Sequence, residues 1–184
     1  MTASRPTRIV VLGGGFGGLA VVRELERLLP ADANVEITVV NRDNYFLFTP
    51  MLHAVAASDL DITTIVNPIR KLVRRASIFT GTIEHIDTGR RIVTVAHAQG
   101  EHAHELPYDH LVVAVGSVTN FFGIPGLAER AVTMKSLGDA IELRTRLVQH
   151  LEEADFECNL RIRRPLLTCV VAGGGFAGSR PWPP

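Results

Sequence analysis

The run Gly13-x-Gly15-x-x-Gly18 restricts this chain more than any other feature, because of what flanks it. Arg8 to Leu12 before it is a short β-branched and leucine run, suited to a buried parallel strand. After it, Leu19, Val22, Leu25, Leu28 and Leu29 recur at helical spacing, and Pro30 with Ala31-Asp32 ends the helix. Val35 to Val40 alternates Val/Ile with polar residues and reads as a second strand. Strand, glycine turn, helix and strand make a βαβ unit with a right-handed crossover. In such a unit the first glycine makes the tight turn, the second lets backbone approach a pyrophosphate, and the third lets helix and strand pack closely. The helix start adds unpaired N–H groups and about half a positive charge. Gly13, Gly14, Gly15, Phe16, Gly17 and Gly18 therefore read as a dinucleotide cradle; a glycine-rich turn serving packing alone is the plainer alternative.

The pattern recurs at Gly173-x-Gly175-x-x-Gly178, after the apolar run Leu166 to Ala172, which reads as a new buried strand. Two fingerprints imply two dinucleotides, and the usual reason to join them is electron transfer between a flavin and a nicotinamide. Past Gly178 the chain reads Ser-Arg-Pro-Trp-Pro-Pro, which cannot build the helix expected there.

Between the fingerprints, Asn44 to Ala57 reads as a loop leading into a short helix. Ile65, Ile69, Leu72 and Val73 predict a helix over 65–73, with Arg70, Lys71, Arg74 and Arg75 suiting its negative end better than an anion site. Ser77 to Ile86 and Arg91 to His97 form a hairpin through Asp87-Thr88-Gly89, with a third strand near Leu106. His110 to Val115 is an apolar strand ending at Gly116. Ser136 opens a long helix with Asp139 as its capping-box partner and Leu137, Ile141, Leu147, Val148 and Leu151 as its inner stripe.

Composition narrows the function classes. Among 184 residues, 46% are apolar and 21% charged, enough to bury a core. Nineteen basic residues balance nineteen acidic ones, which gives no electrostatic reason to bind nucleic acid. No apolar stretch reaches the length of a bilayer span; the longest, Ile9 to Val22, is interrupted by glycines. Cys158 and Cys169 form neither a disulfide framework nor a metal-ligand pair, and so point to a reducing, cytoplasmic setting.

Five segments together resemble the two-dinucleotide-binding flavoproteins, in their type II NADH dehydrogenase-like branch. They are Val10 to Ala20, Asn44-Tyr-Phe-Leu-Phe-Thr-Pro-Met-Leu52, Tyr108 to Ser117, Lys135-Ser-Leu-Gly-Asp-Ala140 and Val171 to Gly178. The resemblance implies FAD at the first fingerprint, NAD(P)H at the second, hydride transfer from nicotinamide to flavin, and a quinone or other small molecule as acceptor. It places Gly13 to Gly18 on the FAD pyrophosphate, and Phe48, Thr49, Pro50 and Met51 in a flavin-side loop. It sets the Ile83 backbone at the adenine, Ala114, Val115 and Gly116 at the strand end near the flavin, and Gly173, Gly175 and Gly178 at the NAD(P)H turn. Val115 departs from the threonine of the family pattern.

Another departure bears on the cofactor. The second strand should end in Asp or Glu, to accept hydrogen bonds from a ribose diol. This chain has Asn41 followed by Arg42. Asparagine still offers an amide oxygen, which implies weaker FAD binding; the sharper alternative is that Arg42 grips a 2′-phosphate and the first site takes NADPH. The C-x4-C pair of flavin disulfide reductases is absent from Asn44 to Ala57, so electrons leave the flavin for something other than a protein disulfide. Cys158 and Cys169 read as packing residues. His97, His102 and His104 read as a solvated loop rather than a metal site, and His53 as an ordinary histidine rather than a flavin contact. No residue is assigned as catalytic and none as a metal ligand, because the flavin carries the chemistry.

The expected fold is α/β. It comprises a Rossmann-type parallel sheet forming an incomplete FAD-binding domain, a small antiparallel β insertion, and a truncated start of a second Rossmann unit. The corresponding boundaries are 1–130, 131–164 for a connecting helix and linker, and 165–184. The family pattern after the second fingerprint reads Val-Glu-Thr; as GTC-GAG-ACC with its first base lost, it becomes the codons for Ser179-Arg180-Pro181. The expectation is therefore a frameshifted or truncated FAD-dependent NAD(P)H dehydrogenase, inactive alone. It would lack the family's C-terminal membrane-docking region, through which a full-length relative sits peripherally on the inner face of a membrane. The alternatives are a single-site NADP-dependent oxidoreductase and a non-catalytic nucleotide-binding remnant.

Overall fold

The computed structural model describes residues 5–97 and 102–174, which divide into two compact units. The first comprises residues up to Leu47 and Val66–Ser117; the second comprises Phe48–Ile65 and the residues from Val118 onward.

In the first unit, β1 (Thr7–Leu12), α1 (Phe16–Leu28) and β2 (Val35–Asn41) form the expected βαβ unit, with β1 and β2 parallel. The short β3 (Tyr45–Leu47) follows. In the second unit come α2 (Leu52–Ala56) and α3 (Ile62–Ile65). The chain then returns to the first unit as β4 (Val66–Pro68), antiparallel to β3, and a single 3-10 turn, Ile69–Lys71. The helix expected over 65–73 is thus replaced by a strand and a turn. Pro68 is the reason: it has no N–H, and it holds Asn67 in extended backbone.

The expected strand 77–86 is two strands in different sheets, β5 (Ser77–Thr80) and β6 (Thr82–Asp87). Gly81 is the joint, since a Cβ there would lie 2.6 Å from the Ala96 carbonyl oxygen. β6, β7 (Ile92–Ala96) and β8 (Ala103–Pro107) form the antiparallel insertion, and β9 (His110–Val113) closes the parallel sheet against β1. That sheet runs β5-β2-β1-β9, so the strand order turns back between β1 and β9. Alternation along β1 builds two cores. Val11 joins Leu19, Val22, Ile37, Val39 and Ile69 on the α1 side, while Val10 and Leu12 join Val40, Val93, Val95 and Tyr108 beneath the insertion.

The second unit also holds α4 (Leu127–Arg130), α5 (Leu137–Phe156) and α6 (Leu160–Leu166). The capping box at the start of α5 forms as expected between Ser136 and Asp139. The buried face of α5 is not the expected stripe: Ala140 and Ala154 are buried, whereas Ile141, Val148 and Leu151 are exposed. The strand expected over 166–172 does not form. α6 ends at Leu166, and residues 167–174 have no regular structure, with Val170 88% exposed. A strand is satisfied only by a ladder partner, and none pairs with this run among the described residues. Cys158 and Cys169, expected to pack, are both exposed. Among the described residues no helix is long and apolar enough to cross a membrane.

Candidate functional site

In an open parallel sheet, ligands bind beyond the carboxyl ends of the strands where the order reverses. Here that point lies between β1 and β9, and Gly13 to Gly18 occupies it. Each fingerprint glycine meets a different constraint. Gly13 has φ +103°, donates its N–H to the Val40 carbonyl at 2.8 Å, and lies so close to β9's end that a Cβ would overlap the Ala114 carbonyl oxygen. A Cβ on Gly18 would overlap the Gly13 carbonyl oxygen, which lets α1 press against the turn. A Cβ on Gly14 would come within 2.6 Å of Ile69 Cδ1, and one on Gly17 would make only ordinary contact with Ala114.

Gly15 differs from all of these. It caps α1 in extended backbone at φ −83°, and a Cβ there would meet no atom of the described residues within 4 Å. Packing within the chain therefore does not demand a glycine at this position; an approaching ligand would. The first turn of α1 holds no acidic residue, so the helix's own first turn leaves its positive end uncompensated. This cradle fits a pyrophosphate. Beside it, the half-exposed Phe16 ring stands edge-on to Phe46 with centroids 4.9 Å apart.

Asn41, at the end of β2, accepts the Gly14 N–H at 2.9 Å through Oδ1 and donates from Nδ2 to the Asp43 carbonyl at 2.8 Å. Its own carbonyl accepts the Gly81 N–H at 3.0 Å, which brings the β5–β6 joint, and Ile83 two residues on, to the same end of the sheet. Ile83 pairs with Val95, and the register shifts between Ile83 and His85. Arg42 is exposed, with its Nε 3.8 Å from Asp43 Oδ2. Burial and the Asp43 carboxylate push the Tyr45 phenol up, against the opposing pull of Arg42. At β9's end, Ala114 donates to the Leu12 carbonyl at 2.8 Å, Val115 is exposed, and Gly116 has φ +76° with open space about it.

The remaining expected site residues lie in the second unit. Thr49 and Pro50 begin a short 3-10 turn, Thr49–Met51, and both are exposed. Gly173 has φ +118° in open space and follows irregular chain rather than the expected strand. Gly175 and Gly178 lie outside the described residues. His97, His102 and His104 are exposed, but His104 belongs to β8 rather than a loop, and the His97 and His104 rings lie 5.1 Å apart, each 5.4 Å from Phe79. Sequence reading missed Ile69 as a wall of the glycine turn and Phe46 as the partner of Phe16. Pro68 was the available signal for Ile69, since it ends any helix through that position.

The family model for pyridine nucleotide-disulphide oxidoreductases matches residues 7–180. The chain is 36% identical over 179 residues to the external alternative NADH-ubiquinone oxidoreductase, mitochondrial, of Yarrowia lipolytica, covering 92% of this chain and 30% of that protein. It is 36% identical over 177 residues to the type II NADH:quinone oxidoreductase Ndh of Mycobacterium tuberculosis, covering 95% of this chain and 37% of that one. The chain thus spans about a third of the length of these curated relatives. Among solved structures, NDH2 of Plasmodium falciparum in complex with NADH superposes with a TM-score of 0.74 at 23% identity, over 87% of this chain and 32% of that one. The sulfide:quinone oxidoreductase of Aquifex aeolicus gives 0.68 at 27% identity, over 79% and 32%.

Proposed function

The chain belongs to the pyridine nucleotide-disulphide oxidoreductase family, and on that footing we propose that it carries the first dinucleotide site of a flavin-dependent NAD(P)H dehydrogenase of the type II NADH:quinone oxidoreductase kind. The substrates are NAD(P)H and a quinone or other small electron acceptor. Bound FAD would supply the two-electron redox chemistry. The protein's part is to bind and orient. Gly13 to Gly18 hold the pyrophosphate on backbone N–H groups and the start of α1, Asn41 and Arg42 lie toward the adenosine ribose, and the Ile83 backbone meets adenine. Val115 and Gly116 line the strand end toward the flavin, with Thr49 and Pro50 in its flanking loop. Gly173, Gly175 and Gly178 form the NAD(P)H turn, within a stretch, 165–184, assigned to a second nucleotide unit. Residues 1–130 are assigned to the FAD domain and 131–164 to a connector.

Gly15 is the observation that carries this reading, because it stands at the start of α1, beyond the end of β1, where no atom of the described residues would oppose a side chain and a ligand has room. The absence of a cysteine from 44–57 supports an acceptor other than a protein disulfide. Titrating the protein with FAD and following flavin fluorescence tests the reading, with saturable quenching as the expected result. The rival, NADPH alone at the first turn, draws on Arg42, whose guanidinium stands exposed one residue past Asn41. Saturable NADPH binding without FAD binding would favour it.

A further inference from the structure

Asn41 stands where a dinucleotide fold ordinarily presents a carboxylate to a ribose diol, yet its side chain is engaged within the protein. Oδ1 accepts from Gly14 and Nδ2 donates to the Asp43 carbonyl. These bonds fix which end of the amide points where: one arm must accept and the other must donate. An ionised carboxylate can satisfy the first arm but not the second. We propose that Asn41 is a positioning residue of the dinucleotide turn, acting through Gly14, and that a carboxylate here loosens the turn instead of improving its hold on ribose.

The geometry around Gly14 supplies the lever. The N–H groups of Gly13 and Gly14 are both anchored to the end of β2, the first on the Val40 carbonyl and the second on Asn41 Oδ1. Side-chain room at Gly14 is closed by Ile69 Cδ1 at 2.6 Å and Asn41 Cγ at 3.0 Å from a Cβ position. The two peptides flanking Gly13 are therefore held, and the Asn41 amide fixes the Gly13–Gly14 peptide through which the chain enters Gly15 and α1. Through its own carbonyl Asn41 also holds Gly81, so one residue ties the glycine turn, the Asp43 loop and the β5–β6 joint together. Gly14 and Gly81 bring no titratable side chain to it; Arg42 and Asp43 flank it.

The inference rests on FAD occupying this turn. Its test measures FAD affinity by flavin fluorescence, with thermal midpoints alongside, for the wild type, Asn41→Asp and Asn41→Ala, each normalised to the wild type at the same pH. Near about pH 8 the Asn41→Asp carboxylate opposes the Asp43 carbonyl, and affinity falls about tenfold. Near about pH 3.5, below the ordinary aspartate pKa, most of the carboxyl is protonated and can donate to that carbonyl, and affinity returns to within about threefold of the wild type. Asn41→Ala, which can donate at neither pH, stays weak at both, separating the hydrogen-bond role from a general loss of stability. Asn41→Asp binding FAD as tightly as the wild type, or more tightly, near about pH 8 overturns the inference. A wild type with no saturable FAD binding overturns the underlying reading instead.

Discussion

Gly13 and Ala114 meet backbone to backbone: a Cβ on the first would overlap the carbonyl oxygen of the second, where β1 and β9 end side by side. Gly15, two residues on, faces open space. Alanine at the two positions should therefore have opposite consequences. Gly13→Ala also forces a side chain onto φ +103°, and is expected to lower stability by more than about 2 kcal/mol in urea unfolding. Gly15→Ala should cost only about 0.5–1 kcal/mol, the ordinary penalty for alanine at an N-cap, while weakening FAD binding. If Gly15→Ala bound FAD like the wild type, the open space would have no ligand role.

The contrast also shows how far the sequence could be read. Spacing located the glycine turn, both strands and α1, because alternation and helical periodicity are local properties of the chain. The fingerprint roles already set Gly15, the ligand-facing glycine, apart from Gly13 and Gly18, but spacing could not show that Gly13 abuts Ala114, because the end of β9 comes from about a hundred residues away. Pro68 was a local signal that periodicity overrode, and the strand expected over 166–172 failed for a non-local reason, the need for a ladder partner.

Glu26 replaces the helix end once expected to explain Arg74 and Arg75. Its carboxylate accepts backbone N–H groups from Arg74, Arg75 and Ala76 at 2.9, 2.7 and 3.0 Å, while Arg75 donates to the Pro30 carbonyl at 2.8 Å near the end of α1. Burial pushes its pKa up, but the N–H groups of Arg75, Ala76 and Arg74 outweigh that and leave it below 4.5. A depressed folded pKa means the contribution is present above the unfolded value and is lost as pH falls through the folded one. Glu26→Ala should cost about 1–2 kcal/mol near neutral pH and flatten the acid limb of the stability curve. An unchanged acid limb would show that the carboxylate does not hold this loop.

Asp139 makes a second acid-sensitive clamp, in the other unit. Burial raises its pKa, but the Ser136 and Thr133 hydroxyls and the Lys135 and Ser136 N–H groups together lower it from 3.8 to about 2. By the same sign, its stabilisation is full above about pH 4 and disappears as pH falls through about 2. Allowing for solvent screening, Asp139→Ala should lose on the order of 1 kcal/mol at neutral pH and show less loss than the wild type on further acidification. Circular dichroism of the helical signal against pH checks this; parallel curves for the two proteins would remove the carboxylate from the account.

The long helix α5 shows why a correct helix can be assigned the wrong face. Leu137, Ile141, Leu147, Val148 and Leu151 lie at helical spacing, yet Ile141, Val148 and Leu151 are 42%, 45% and 57% exposed, while Ala140 and Ala154 are buried. α2, with Ala54, Val55 and Ala56 buried, packs against α5. Hydrophobic spacing reports an apolar stripe without saying what covers it, and here the buried positions of α5 are alanines. Val148→Glu and Leu151→Glu should then change stability by less than about 0.5 kcal/mol and reduce both hydrophobic-dye binding and self-association. Ala140→Leu, by contrast, should overpack the buried face of α5 and cost about 1–3 kcal/mol. Unfolding caused by the glutamates, with Ala140→Leu tolerated, would reverse the assignment of faces.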